Sequence, residues 1–297
     1  MSVRPDILCI GSVLWDVIGR SDRHMKQGSD VPGHITRLPG GVALNIAMTL
    51  ARFDLRPALL SIVGRDPEGE ELVAACEHLG LLTEHLYRSD DLPTDQYMAV
   101  EGANGLIAAI ADAHSLEQSG DKILRPLIEG PLGFADAPFD GPIALDGNLT
   151  EGLLDQIARH PAFAAADLRI APASPGKAER LLPFLRAGRG VLYVNLEEAG
   201  LLCQTEFEDA PQAGATLIER GAARAIVTDG ANVTCDASSD GTLAERPPEV
   251  MVTRVTGAGD TFMAAHIASE LRGADRETAL HRALSTAAAY VAGGPGA

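Results

Sequence analysis

The segment Arg254-Val255-Thr256-Gly257-Ala258-Gly259-Asp260-Thr261-Phe262-Met263-Ala264-Ala265 runs from a glycine-bracketed turn into an alanine-rich, helix-favouring stretch. A helix started in this way points several free backbone N–H groups at one spot, where an anion can settle. Asp260 adds a carboxylate beside that spot. A negative group is a poor element for anion binding alone. It suits a reaction in which a hydroxyl loses its proton and attacks the anion, that is, phosphoryl transfer to an alcohol with Asp260 as general base. Taken by itself the segment has a plainer explanation of equal weight. An acid in the first turn complements the helix dipole by about 0.3–1 kcal/mol, and glycines before a helix are ordinary loop punctuation.

Such a segment does chemistry only if a scaffold holds it against other polar groups. Residues 7–11 form a short apolar run ending in glycine, which reads as a buried strand. Gly40-Gly41 leads into 42–53, where Leu44, Ala47, Met48 and Ala51 fall at helical spacing. Residues 57–64 read as a second strand and 67–79 as a helix. Segments 94–101 and 106–112 flank Gly102-Ala103-Asn104-Gly105, a turn suited to a β-hairpin. From Pro142 onward, strands at 143–146, 168–171, 191–195 and 225–228 alternate with helices near 150–160, 175–186 and 210–220. Two helical segments, 258–272 and 275–292, follow. The alternation implies right-handed βαβ crossovers and a parallel sheet covered by helices. The hairpin interrupts it and is assigned to a small β-lid at one sheet edge, built from about residues 12–38 and 84–112. Beyond a short Gly-Gly-Pro-Gly-Ala end there is no low-complexity tract, and no internal repeat.

Composition narrows the class. The 297 residues carry 24 basic and 41 acidic side chains, a net charge of −17. That balance opposes nucleic-acid and anionic-membrane partners, which need a basic surface, but leaves room for a small phosphorylated ligand in a local anion hole. Lysine occurs only at 26, 122 and 177, which reads as genome composition. Cys9, Cys76, Cys203 and Cys235 show no C-x-x-C pair, and the eight histidines show no paired-ligand spacing. Buried thiols in a reduced compartment are expected rather than disulfides or a zinc site. No apolar run approaches the roughly 20 residues that span a bilayer, and a cytoplasmic location is expected. A Walker A loop is excluded because Ala178 follows Gly176-Lys177 where Ser or Thr is required. No G-x-G-x-x-G follows the first strand, and no G-x-S-x-G elbow occurs.

Two separated segments resemble the ribokinase-like (PfkB) family of carbohydrate and nucleoside kinases, in the family's order. The first is Gly40-Gly41-Val42-Ala43-Leu44-Asn45-Ile46-Ala47, continuing through Arg56 to Ile62-Val63-Gly64-Arg65-Asp66-Pro67-Glu68-Gly69; the second is Thr256–Asp260. With the strand order, the resemblance covers essentially the whole chain. It implies one α/β domain, a three-layer sandwich with a mainly parallel central sheet and a small β-lid, using ATP and Mg²⁺. It also assigns roles. Asp16, Asn45 and the Gly40-Gly41 turn match positions that hold sugar hydroxyls. Asp260 matches the base, and Gly257, Ala258 and Gly259 match the anion hole. Asn195 and Glu198 match an Asn-x-x-Glu motif that arranges Mg²⁺ through water, together with phosphate. Thr228 and Gly230 correspond to a turn near the ATP phosphates, and Thr256 joins the nucleotide contacts. Each has a bland counterpart: Asp16 as a loop acid, Asn45 as a satisfied amide, Asn195 and Glu198 as a helix start. A partner beyond small molecules is expected only as a second copy pairing through the lid.

The acceptor is less legible. Where the family pattern has an acid that helps form a monovalent-cation site in several relatives, this chain has Arg254. Its guanidinium would repel K⁺ and supply the charge itself, so little K⁺ activation is expected. The Val-Thr-Gly-Ala-Gly-Asp form is similar to the pseudouridine kinase branch. So are the 105–112 stretch ending in Asp112, which makes Asp112 a candidate contact, the Asp146-Gly147-Asn148-Leu149 strand end, and Pro172–Ala178. Asp146 and Asn148 sit where α/β ligands bind, although Asp-Gly-Asn is also an ordinary turn. The expected reaction is phosphorylation of the 5′-hydroxyl of pseudouridine. The alternatives are ribose, a purine nucleoside or 2-keto-3-deoxygluconate as acceptor, or a nucleoside-binding regulator without catalysis.

Overall fold

A computed structural model describes residues 4–26 and 28–294, so the last three residues of the glycine-rich end lie outside it. In chain order, β1 (Ile7–Ile10), β2 (Leu14–Arg20) and β3 (His34–Gly40) lead to α1 (Val42–Arg52). Then come β4 (Pro57–Leu60), β5 (Ile62–Gly64), α2 (Pro67–His78), β6 (Tyr87–Ser89), β7 (Gln96–Gly102) and β8 (Gly105–Asp112). After short helical turns follow β9 (Pro142–Asp146), α3 (Glu151–Arg159), β10 (Asp167–Ala171), α4 (Leu182–Ala187) and β11 (Val191–Asn195). The remainder is α5 (Leu196–Cys203), α6 (Ala210–Glu219), β12 (Arg224–Thr228), β13 (Thr234–Ser238), β14 (Gly241–Glu245), α7 (Ala258–Leu271) and α8 (Arg276–Val291).

Eight strands make the central sheet in the order β14-β13-β12-β11-β10-β9-β1-β4. Six run parallel, and β13 and β14 close one edge antiparallel. The period-2 alternation of strand side chains divides the core into two slabs. Leu8 and Ile10 of β1 join Leu154, Phe163, Phe184 and Leu217 on one face. Ile7 and Cys9 join Leu44, Met263, Ile267 and Leu280 on the other. Helices therefore cover both faces, giving a three-layer α/β sandwich. Because both faces are covered, the parallel strands read as unbroken apolar runs. α7 is buried from Thr261 through Ser269, which explains its lack of a polar stripe.

A second sheet of four strands, β3-β2-β7-β8, stands apart from the first. β2 pairs antiparallel with β3 and parallel with β7, and β7 and β8 form the hairpin.

Three local readings need correction. Residues 57–64 are two strands rather than one: β4 follows β1, but past Leu60 the chain leaves the sheet, and β5 pairs with β6 instead. The helix expected at 175–186 begins as a 3₁₀ turn over Pro175–Leu181, because Pro183 has no N–H to continue an α-helical ladder behind it. β13 and β14 have no counterpart among the strands expected from the sequence. Asp236 and Ser238 disfavour a strand on composition, and the Arg224 and Arg276 guanidiniums that pair with Asp236 come from elsewhere in the chain.

Candidate active site

A cavity of about 690 Å³ opens over the carboxyl ends of the central strands, between the sheet, the four-stranded sheet and the start of α7. This is where α/β folds hold ligands. Two glycines shape it. Gly41, at φ 100°, caps α1 against the Ser12 carbonyl, where any side chain would collide. Gly257, at φ 84°, caps α7 with the Tyr290 hydroxyl in the space a Cβ would take. A left-handed backbone in so little space admits only glycine.

Gly257, Ala258, Gly259 and Asp260 all line the cavity, so the first turn of α7 faces it, although the Ala258 N–H is itself bonded to the Val255 carbonyl at 3.0 Å. Asp260 is half-buried, and Asn45 Nδ2 donates to its Oδ2 at 3.0 Å from the first turn of α1. Burial, with the nearby Asp146 and Asp16 charges, pushes the Asp260 carboxyl up to about 7, and the Asn45 hydrogen bond offsets only part of that. A carboxylate with this affinity is matched to taking a proton from a hydroxyl near neutral pH. Asp16 reaches the cavity from β2, where burial raises it to about 6.

On the other side the wall is Asn195, Glu198, Thr228 and Thr256. Asn195 and Glu198 form a reciprocal capping box at the start of α5: Glu198 N–H donates to Asn195 Oδ1 and Asn195 N–H to Glu198 Oε2, both at 2.8 Å. The helix-start explanation therefore holds, and it coexists with a place on the cavity wall. Burial pushes the Glu198 carboxyl up to about 7. Among the described residues no cluster of three acids, histidines or cysteines could hold a metal by itself. Two such residues would hold a hydrated Mg²⁺ only if a nucleotide supplied further oxygen ligands.

The remaining predicted residues separate. Asn148 lines the cavity, whereas Gly40, Asp112, Asp146 and Gly230 do not. Gly40 leaves room for the Asp16 carboxylate. Asp112 ends β8 opposite Gln96, exposed. Gly230 sits in a left-handed turn with open space where a Cβ would be. Asp146 is fully buried beneath the floor. It accepts from Ser12 N–H at 2.8 Å, Ala43 N–H at 3.3 Å, Asn148 N–H at 2.7 Å and Asn148 Nδ2 at 3.2 Å. Those four bonds tie β9 to the turn after β1 and to α1, so Asp146 sets the position of the floor. The sequence reading missed Ser12, Asp95 and Tyr97 on the wall. Tyr97 pairs with Asp16 in the second sheet, the Asp95 carbonyl accepts from Trp15 N–H, and Ser12 N–H donates to Asp146, contacts that nothing local in the sequence marks.

A cleft of this kind, with an acid at a helix start over the ends of a parallel sheet, has the geometry that phosphoryl transfer to a hydroxyl requires. The chain belongs to the pfkB family of carbohydrate kinases, whose sequence pattern matches residues 4–294. It is 27% identical to the pseudouridine kinase of Escherichia coli over 87% of this chain and 81% of that protein. It is 25% identical to the ribokinase of Mus musculus over 87% of this chain and 80% of that one. A carbohydrate kinase from Agrobacterium tumefaciens superimposes with a TM-score of 0.80 at 25% identity, covering 96% of this chain and 90% of that one.

Proposed function

We propose that this protein transfers the γ-phosphoryl group of ATP to the 5′-hydroxyl of pseudouridine. The observation that carries the chemistry is Asp260, held by Asn45 at the start of α7, with its carboxyl near neutrality and the helix N–H groups beside it. Asp260 takes the hydroxyl proton, the freed oxygen bonds to phosphorus, and the bond from that phosphorus to the ADP oxygen breaks. Charge accumulating on the phosphoryl oxygens meets the N–H groups of the Gly257–Asp260 turn. Asp16 and Asn45 hold ribose hydroxyls, and Asn195, Glu198, Thr228 and Thr256 receive the nucleotide. Mg²⁺, when bound there through Glu198 and water, supplies neutralisation of phosphate charge.

The identity to a pseudouridine kinase across most of both chains supports the acceptor, and a ribokinase aligned over a similar span makes ribose the second reading. The test is ADP release with Mg·ATP against pseudouridine, uridine, adenosine, ribose and 2-keto-3-deoxygluconate. Preference for pseudouridine is expected. Preference for another acceptor would keep the kinase and sink the substrate, and tight nucleoside binding without turnover would make the protein a regulator.

The four-stranded sheet serves as a lid over this cleft, bringing Asp16, Tyr97 and Ala111 to the wall. It also exposes Ile35, Leu38, Leu106 and Ile110. Apolar exposure of that kind favours pairing with a second copy, which sedimentation would register as a dimer. No described helix is long and apolar enough to cross a membrane, and we place the reaction in the cytoplasm.

A further inference from the structure

The cavity wall is strongly acidic. Asp16, Asp95, Glu117, Glu198 and Asp260 all line it, and Lys177 is the one cationic side chain among its lining residues. A phosphoryl group carries its own negative charge into that field, and the N–H groups at one helix start act from one side only. The arginines near the wall are committed elsewhere. Arg180 donates to the carbonyls of Asn148 and Leu149 and to Glu117 Oε1. Arg254 donates to the carbonyls of Tyr290 and Gly294.

Lys177 differs from both. Its Nζ donates to Asn148 Oδ1 at 2.5 Å, and among the described residues it has no carboxylate partner. An ammonium has three donors, so two remain for a ligand. Asn148 is itself fixed, with Nδ2 on the buried Asp146, so the ammonium is aimed by a chain that ends in the floor of the site. Topology fixes where the residue lies. β10 lies between β9, which carries Asp146, and β11, which ends in Asn195. Lys177 lies in the turn that follows β10. It therefore stands over the border between the acceptor side, with Asp16 and Asn45, and the nucleotide side, with Asn195 and Glu198. In a transfer between the two sides, that border is where the phosphoryl group is in flight.

We propose that Lys177 is a catalytic residue whose ammonium contacts the transferred phosphoryl group and neutralises it, held in place by Asn148. This rests on the phosphotransfer reading of the cleft. The step moves no proton from Lys177, whose ammonium stabilises oxygens that are already negative.

The test uses the full chain with Lys177→Met and Lys177→Arg, each checked for an unchanged melting temperature. Two readouts are compared: acceptor-dependent ADP release, and calorimetric affinity for Mg·ADP with and without aluminium fluoride, a planar mimic of the group in flight. Lys177→Met is expected to lower kcat about 10²–10³-fold, the usual effect of removing one such donor. The acceptor KM should stay within about threefold, the pattern of a contact made in the transition state. Fluoride should tighten ADP binding in the wild type and not in Lys177→Met, and Lys177→Arg should recover part of both effects. A kcat for Lys177→Met close to wild type, a loss confined to acceptor KM, or equal fluoride enhancement in both proteins would overturn the proposal. If the wild type releases no ADP with any acceptor, the kinase reading fails. The fluoride comparison then still decides whether Lys177 meets a phosphoryl-like anion.

Discussion

The two ends of α7 bury carboxylates in opposite ways. At its last turn, Glu270 accepts from Arg224 Nη1 at 2.7 Å and also from Arg169 Nη1. Nearby, Asp236 accepts from Arg224 Nη2 at 2.6 Å and Arg276 Nη2 at 2.9 Å. Burial alone would raise both acids, but Arg224 and Arg276 at Asp236, and His266 with Arg169 and Arg224 at Glu270, override it and hold both below the usual carboxylate range. At its first turn, Asp260 has a neutral amide as partner and two further acids as neighbours, and burial wins. The difference teaches that burial does not determine what a carboxylate does. A cation fixes it as a permanent charge that joins sheet to helix, whereas withholding the cation leaves a group that titrates where chemistry needs it.

Breaking each end should therefore give complementary losses. Asp260→Asn is expected to lower kcat by about 10²–10⁴, the range of general-base assistance, while thermal melting shows no loss of stability because no ion pair is broken. Asp236→Asn should do the reverse. It leaves Arg276 and part of Arg224 unpaired, at a cost of about 3–5 kcal/mol, visible in urea unfolding, while folded enzyme keeps its turnover. An Asp260→Asn variant with wild-type kcat would remove the base from the first turn altogether.

Acidity sharpens the contrast because the two ends respond with opposite sign. Asp260 has a folded value near 7, above the 3.8 of an ordinary Asp. The folded state thus binds more protons between those values, and stability falls as pH rises from about 4 to about 7. Asp236 and Glu270 are lowered, so their stabilisation is present above the ordinary carboxylate range and disappears as pH drops through their folded values. Melting temperature against pH should show an acid-side loss in both wild type and Asp260→Asn, and a flatter profile from pH 4 to 7 in the variant. Over the same range kcat/KM should rise with an apparent pKa near 7. Asn45→Ala removes the donor that favours the charged form. It should move that midpoint upward and cost about tenfold in kcat at neutral pH.

The active end of α7 was far more legible than the structural end. Gly257-Ala258-Gly259-Asp260 is contiguous, and its glycine turn, helix start and acid are each readable from neighbours in sequence. Asn45 and Asp16 lie far from it in the chain, and the family resemblance linked them. The Arg169, Arg224, Asp236, Glu270 and Arg276 cluster has no local pattern, because its members come from three strands and two helices. Its absence from the sequence reading also hid β13 and β14. Asp146 was ambiguous for a related reason: a polar residue at a strand end is equally suited to touching a ligand or to holding the turn beneath it. Only its four hydrogen bonds and zero exposure distinguish the two.

The smallest expected effect concerns the cation that α7 does have near its start. Arg254 Nε donates to the Tyr290 carbonyl at 2.9 Å and Nη2 to the Gly294 carbonyl at 2.8 Å, with the guanidinium 3.7 Å from the centre of the Tyr290 ring. These carbonyls belong to the C-terminal end of α8, where the helix dipole favours positive charge. The Tyr290 hydroxyl in turn donates to the Thr256 carbonyl at 2.9 Å, so the same contact steadies the turn that leads to Asp260. A potassium ion seeking those carbonyls would have to displace a positive charge already tethered to the chain. Exchanging NaCl for KCl at constant ionic strength should thus change kcat by less than about twofold, since an ion with no site shifts nothing. A severalfold rise specific to potassium would mean that Arg254 leaves its carbonyls in solution. The geometry of the catalytic turn would then depend on the surrounding salt and not on the chain's own guanidinium.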